Sequence, residues 1–134
     1  MGDKANSPAH PDVVVAVDDL FFATKIEAAA KAVGANLLLM FEPRQFWDLL
    51  AGFVPRLIIL DLNSRVFDSL DAVRKIKTDA RLAKSRVIGF YYHIQVELRR
   101  AAEVAGCDQV LPRSTFVAQI REILLHTRGC APPS

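Results

Sequence analysis

The most constraining feature of the sequence is a run of four apolar residues, Leu57 to Leu60, that stops abruptly at Asp61. A short, uninterrupted apolar run of this kind is typical of a strand that is buried on both faces of a parallel sheet. In open parallel sheets, ligands bind just beyond the carboxyl ends of the strands. Asp61 is therefore predicted to lie where a functional site would form.

The same arrangement of an apolar strand followed by a helix recurs along the chain. Strands are predicted at 12–17, 36–40, 57–61, 86–91 and 109–111, where β-branched or other apolar residues run together. Helices are predicted where apolar residues recur at helical spacing: at 20–33, from 43 to about 52, around Val66, Leu70 and Val73, at about 94–105, and after Ser114 as N-cap.

Strands that alternate with helices imply a parallel sheet covered on both faces, with right-handed crossovers. The predicted fold class is therefore α/β, a single doubly wound (βα)5 domain. The domain is expected to cover residues 12–127. Residues 1–11 are polar and contain proline, and they are predicted to form a flexible leader; residues 128–134 are predicted to form a flexible tail.

Composition excludes several classes of function. The net charge of +2 over 134 residues, with scattered basic side chains, argues against a nucleic-acid partner. The longest apolar runs are too short to span a membrane, and no secretory signal is visible. Cys107 and Cys130 form neither a metal motif nor a disulfide framework. These features predict a cytoplasmic protein with no nucleic-acid or membrane partner.

Acidic residues follow two of the predicted strands. Asp18 and Asp19 end the first strand and Asp61 ends the third, so the three carboxylates should meet at one edge of the sheet. Carboxylates packed together repel one another, and a hard divalent cation such as Mg²⁺ is their natural partner. The backbone carbonyl of Asn63 is expected to be a further ligand. Arg113, after the fifth strand, adds a permanent positive charge, so that Asp61 could accept a phosphoryl group.

With these residues in place, the sequence resembles the CheY-like receiver domains of two-component response regulators, over about residues 12–127. Asp18-Asp19 resembles the receiver acid pair, and Asp61 falls at the position of the phospho-accepting aspartate of receivers. Asp61 and Tyr91 are 30 positions apart and Tyr91 and Arg113 are 22 apart, as in receivers. The stretch 105–108, Ala-Gly-Cys-Asp, is similar to the receiver Ala-Gly-Ala-Asp. The resemblance implies a flavodoxin-like sheet of strand order 2-1-3-4-5.

The chain departs from the receiver pattern at positions that carry the conformational switch. Receivers have Thr or Ser at the end of the fourth strand, where this chain has Tyr91, and an aromatic residue in the fifth strand, where it has Val110. Arg113 replaces a receiver Lys, and Ser114 replaces the proline that follows it. Arg is a planar fork and not a point charge, so this change is not conservative. The resemblance is therefore to an atypical receiver, or pseudo-receiver.

Two functional hypotheses follow from this resemblance. In the first, Asp61 accepts a phosphoryl group from a histidine kinase with Mg²⁺, and the domain signals to other proteins through the face of the fourth helix, fifth strand and fifth helix, which could also form a homodimer. In the second, the domain binds partners through that face in one fixed state, without phosphorylation, and the changes at Tyr91 and Val110 favour this. Separately, Arg113 could neutralise Asp61 in a fixed salt bridge.

Neither hypothesis predicts an enzyme. A small enzyme or flavin carrier on the same fold is disfavoured, because the loop after the first strand is acidic where a phosphate-binding loop needs glycine and backbone N–H groups. Phe21 and Trp47 neighbour predicted core residues, and each could mark a partner surface, although scattered exposed aromatics are common.

Overall fold

The structure is a computed structural model that describes residues 11–92 and 96–129. Within these ranges, five strands alternate with five helices. In chain order the elements are β1 Val13–Ala16, α1 Leu20–Val33, β2 Leu37–Met40, α2 Pro43–Gly52, β3 Leu57–Asp61, α3 Ser69–Thr78, β4 Arg86–Tyr91, α4 Val96–Ala105, β5 Gln109–Pro112 and α5 Arg113–Gly129.

The five strands form one parallel sheet in the order β2-β1-β3-β4-β5. Both the predicted fold class and the strand order implied by the receiver resemblance are confirmed. The register pairs Ala16 with Leu60 and Asp61 with Phe90. The carboxyl ends of the three central strands therefore lie side by side, and the loops that follow them meet at one edge of the sheet.

The apolar run that ends at Asp61 is uninterrupted because both faces of β3 are covered. Leu57 and Ile59 pack into a core beneath α1 and α5, whereas Ile58 and Leu60 pack into a second core beneath α2 and α3. Burying each of these side chains stabilises the fold by about 1.5–3 kcal/mol. β3 is thus the centre of the sheet, and this position fixes the place of Asp61.

The segment between Asp61 and α3 folds differently from the prediction. Val66 was expected to face inward on a helix, but it is 47% exposed and α3 begins only at Ser69. The Ser64 hydroxyl accepts hydrogen bonds from the Val66 and Phe67 amides at 3.0 and 2.9 Å, which turns the chain before the helix starts. Phe67 consequently enters the core, against Phe46.

The prediction of Ser114 as an N-cap was also wrong. α5 begins at Arg113, immediately after β5, so Ser114 lies inside its first turn. The same helix continues to Gly129, two residues beyond the predicted end of the domain. Most of the predicted leader, the start of the predicted fourth helix at residues 94 and 95, and residues 130–134 of the predicted tail lie outside the described residues.

Lys77 connects three separate parts of the chain at the amino-terminal edge of the sheet. Its Nζ donates to the carbonyl of Ser85 at 2.8 Å, to the carbonyl of Ala83 at 3.3 Å and to the Asp108 carboxylate at 2.9 Å. Asp108 in turn accepts from the Val87 amide at 2.7 Å. This network joins the end of α3 to the starts of β4 and β5.

No helix within residues 11–92 and 96–129 has both the length and the apolar character needed to cross a membrane.

Candidate functional site

Asp61 lies at the end of β3 and is only 3% exposed. Its Oδ1 accepts a hydrogen bond from the Asn63 amide at 2.9 Å. Burial raises the pKa of its carboxyl group from 3.8 to about 6, and the nearby Asp18 and Asp19 carboxylates add to the increase, while the Asn63 hydrogen bond and Arg113 oppose it. At neutral pH the group is therefore mostly ionised, but at a cost to the folded state.

Asp18 follows β1 and holds the loop between β3 and α3. Its Oδ2 accepts hydrogen bonds from the Ser64 hydroxyl at 3.1 Å and from the Arg65 amide at 3.0 Å. Ser64 also orients the Val66 and Phe67 amides, so one carboxylate organises the whole turn beside Asp61. The role of Ser64 was not predicted, because a lone serine in a loop carries no pattern that distinguishes it.

Asp19 is held on both of its carboxylate oxygens. As the N-cap of α1, its Oδ1 accepts from the Phe22 amide at 3.1 Å, and its Oδ2 accepts from Nη2 of Arg113 at 3.2 Å. The capping hydrogen bond, together with Arg113, lowers the pKa of Asp19 below its usual value. The hypothesis of a fixed salt bridge between Arg113 and Asp61 was therefore wrong, because the ion pair of Arg113 is with Asp19.

The Arg113 guanidinium also lies close to two aromatic rings. Its Cζ is 3.9 Å from the centroid of Phe22 and 5.4 Å from that of Tyr92. Attraction between a cation and an aromatic face contributes about 0.5–1 kcal/mol at partly exposed sites. Phe22 was predicted only as a core residue, and its contact with Arg113 depends on residues far apart in the sequence.

Asn63 connects the loop after β3 to the loop after β4. Its side-chain Oδ1 accepts a hydrogen bond from the Tyr92 amide at 2.9 Å, while its own amide donates to Asp61. The prediction concerned its backbone carbonyl as a metal ligand, and this role stays a prediction. The structure adds a side-chain role, which ties the end of β4 to the acidic site.

Tyr91, at the end of β4, packs against a small hydrophobic core. It is half-buried and contacts a small core of Leu62, Ala102 and Val110 beneath α4. The large ring on β4 thus accompanies a small residue on β5, where receivers have a small residue on β4 and an aromatic one on β5. Tyr91, Tyr92, Pro112, Arg113 and Ser114 line an open cavity of about 630 Å³ on this side of the site.

The acidic side chains have the chemistry of a magnesium site, since carboxylate and carbonyl oxygens are the ligands that this hard cation prefers. In the part of the chain that the structure describes, however, no three carboxylate, imidazole or thiol groups are arranged to hold a metal ion. Asp18 is engaged with the loop and Asp19 with Arg113. A cation would therefore compete with these internal hydrogen bonds.

Comparison with known proteins identifies the fold. No protein-family model and no curated protein sequence matches the chain. Among solved structures, it is similar to the receiver domain of a Francisella response regulator, with 16% identity, a TM-score of 0.76 and coverage of 92% of this chain and 100% of that one.

Two further solved structures give the same result. The chemotaxis response regulator CheY4 of Vibrio cholerae has 12% identity and a TM-score of 0.75, with coverage of 88% and 98% of the two chains. The receiver domain of a sensor histidine kinase from Pseudomonas aeruginosa, with a magnesium ion coordinated in its active site cleft, has 20% identity, a TM-score of 0.75 and coverage of 90% and 98%. This chain therefore has the CheY-like receiver fold.

Proposed function

We propose that this chain is a receiver-like signalling module that accepts a phosphoryl group on Asp61 with the help of Mg²⁺, and that it signals through contacts with other proteins. The observation that carries the proposal is the carboxylate of Asp61, buried at the end of the central strand beside Asp18, Asp19 and Arg113. Similar structures include receiver domains, one of them with magnesium in its active site cleft.

The chemistry requires little beyond positioning and charge. The Asn63 amide holds Oδ1 of Asp61, which leaves the other carboxylate oxygen to attack the phosphorus of the donor. The new bond joins this oxygen to phosphorus while the bond between phosphorus and the donor breaks, and its electron pair leaves with the donor. With a pKa of about 6, Asp61 is mostly ionised at neutral pH and so is competent as a nucleophile.

Asp18, Asp61 and the Asn63 carbonyl are the residues that would hold Mg²⁺. When bound, the ion neutralises charge on the carboxylates and on the transferring group. Binding through Asp18 would replace its hydrogen bonds to Ser64 and Arg65. The loop that carries Ser64 and Arg65 leads to Phe67, whose ring contacts Phe46. Phe46 in turn contacts Trp47, the single tryptophan of the sequence.

The proposal is tested by incubating the protein with Mg²⁺ and acetyl phosphate and measuring its intact mass. We expect a gain of one phosphoryl group that is absent from Asp61→Asn and retained in Asp48→Asn, a matched change at an exposed aspartate. Titration with Mg²⁺ alone should change the fluorescence of Trp47. Absence of both the adduct and the fluorescence change would reject the proposal.

A second candidate function is a protein-interaction domain that works without phosphorylation. It is favoured by the packing of Tyr91 against the small core with Val110, because a large ring stands where receivers carry the small hydroxyl residue of the switch. The expected partner is a histidine kinase or another signalling protein, and the expected surface is the face of α4, β5 and α5. If Asp61→Asn binds the partner with unchanged affinity, this second function is supported.

A homodimer through the same face is a further proposal. Val104 on α4 is 81% exposed, and Val117 on α5 is 41% exposed. Exposed apolar side chains of this size on the two helices that contact β5 favour contact with another protein surface. Sedimentation of the wild type and of Val104→Glu tests this: a dimer that dissociates in the variant supports the proposal, and a wild-type monomer at high concentration contradicts it.

A further inference from the structure

Arg113 is held by a set of contacts that keeps its charge on one side of the acidic site. Nη2 lies 3.2 Å from Oδ2 of Asp19, and the guanidinium lies within cation–π distance of both Phe22 and Tyr92. Asp61 receives only the longer-range effect of this charge, since the ion pair of Arg113 is made with Asp19. The position of the guanidinium therefore decides how much positive charge an anion at Asp61 would meet.

The two rings that contact Arg113 differ in exposure. Phe22 is 2% exposed and packs against Phe90 and Phe116 in the main core, with ring centroids 5.0 and 6.1 Å away. Tyr92 is 48% exposed and lies just beyond the end of β4. Phe22 is therefore held by the core, whereas much of the Tyr92 side chain is accessible to solvent.

Space for movement lies next to the guanidinium. The open cavity of about 630 Å³ is bordered by both Tyr92 and Arg113, together with Tyr91, Pro112 and Ser114. An arginine side chain that loses one of its two aromatic contacts gains room in this direction. It can then exchange Asp19 for another anion nearby, because its charge is permanent and its planar fork of donors matches both carboxylate and phosphate groups.

We propose that Tyr92 is a positioning residue that holds Arg113 against Asp19 and so withholds its positive charge from a phosphoryl group arriving at Asp61. Displacement of the Tyr92 ring releases the guanidinium towards Asp61. The effect on phosphorylation rests on the proposed function of Asp61, whereas the hold on Arg113 does not. The Asn63 side chain, which accepts from the Tyr92 backbone amide, joins the backbone of Tyr92 to the loop that follows Asp61.

The hold on Arg113 is tested directly by NMR of the arginine side-chain N–H groups in the wild type, Tyr92→Ala and Tyr92→Phe. Ring currents from stacked aromatics shift these signals, and hydrogen bonding to Asp19 slows their exchange with water. We expect Tyr92→Ala to move the Arg113 signals and to speed their exchange, and Tyr92→Phe to leave them near the wild type. Unchanged Arg113 signals in Tyr92→Ala would overturn the proposal, whether or not Asp61 is phosphorylated.

The consequence for Asp61 is tested by the rate of labelling with acetyl phosphate and Mg²⁺. Loss of one aromatic contact should raise the rate in Tyr92→Ala about two- to fivefold, the range expected for a partly exposed cation–π contact. Tyr92→Phe should label like the wild type. In an Arg113→Ala background, the Tyr92→Ala substitution should have no effect.

The remaining outcomes separate the two proposals. A rate increase that persists without Arg113 overturns the inference, since Tyr92 would then act by another route. An unchanged rate in Tyr92→Ala, with shifted Arg113 signals, overturns the link from Tyr92 to Asp61. If no variant is labelled but the Arg113 signals shift as expected, phosphorylation of Asp61 fails while the role of Tyr92 in holding Arg113 is supported.

Discussion

Replacing Asp61 with asparagine should stabilise the folded protein, although Asp61 is the centre of the proposed site. The side chain is 3% exposed, and burial with two neighbouring carboxylates raises its pKa from 3.8 to about 6. This is a change of about 2 pKa units, and each unit corresponds to about 1.4 kcal/mol. Ionised Asp61 therefore costs the folded state about 3 kcal/mol at pH 7. Asparagine keeps an oxygen that can accept from the Asn63 amide, and it carries no charge.

The sign of the pH dependence follows from the direction of the shift. Between about pH 4 and pH 6 the folded state holds the Asp61 proton more tightly than the unfolded state does, so stability falls as pH rises through this interval. Above it, the full cost is present. The advantage of Asp61→Asn should accordingly be about 3 kcal/mol at pH 7 and shrink to about 1 kcal/mol at pH 4.5.

Urea unfolding at both pH values, followed by circular dichroism, measures this difference. A chelator must be present, because a bound cation would stabilise the ionised carboxylate. In thermal unfolding, the variant should melt roughly 10 °C higher at pH 7. Asp48→Asn, at an exposed position, should change stability by less than about 0.5 kcal/mol at either pH. A stability gain for Asp61→Asn that is absent, or equal at both pH values, would refute the reasoning.

Two further substitutions test the packing that surrounds the site. Gly89→Ala places a Cβ 2.9 Å from the buried Leu62 side chain and should reduce the free energy of unfolding, measured in urea, by about 1–3 kcal/mol. The double variant Gly89→Ala/Leu62→Ala should lose less stability than the sum of the losses of the two single variants. Lys77→Met leaves Asp108 without its ion pair and should cost about 1–3 kcal/mol, whereas Lys75→Met, on the exposed face of α3, should cost less than about 0.5 kcal/mol. Equal losses for the two lysines would show that the Lys77 network contributes nothing specific.

The parts of the structure that the sequence predicted well are those that depend on local patterns. The bounds of α1, β3 and β4 agree with prediction to the residue. In each case the apolar pattern determines where the element begins and ends. The placement of Asp61 at a strand end follows from the same pattern.

The errors lie where contacts between distant residues decide the outcome. Asp18 reaches Ser64 across 46 positions and Arg113 reaches Asp19 across 94, and no local pattern indicates either partner. The expected inward position of Val66 failed for the same reason, because the Ser64 turn that brings Phe67 inward is organised by Asp18. Resemblance to receivers indicated which residues would lie close together at the site, but not whether Arg113 would form its ion pair with Asp19 or with Asp61.

The network around Lys77 also has a consequence for the chemical reactivity of the chain. An acylating reagent must reach an amine in order to modify it, and the Lys77 Nζ is engaged by three hydrogen-bond acceptors. Its side chain is 18% exposed, against 62% for Lys75 two positions earlier. Covalent modification of lysines should therefore spare Lys77 in the folded protein and reach it once the ends of α3, β4 and β5 separate, which makes this amine a covalent marker of whether the sheet is intact.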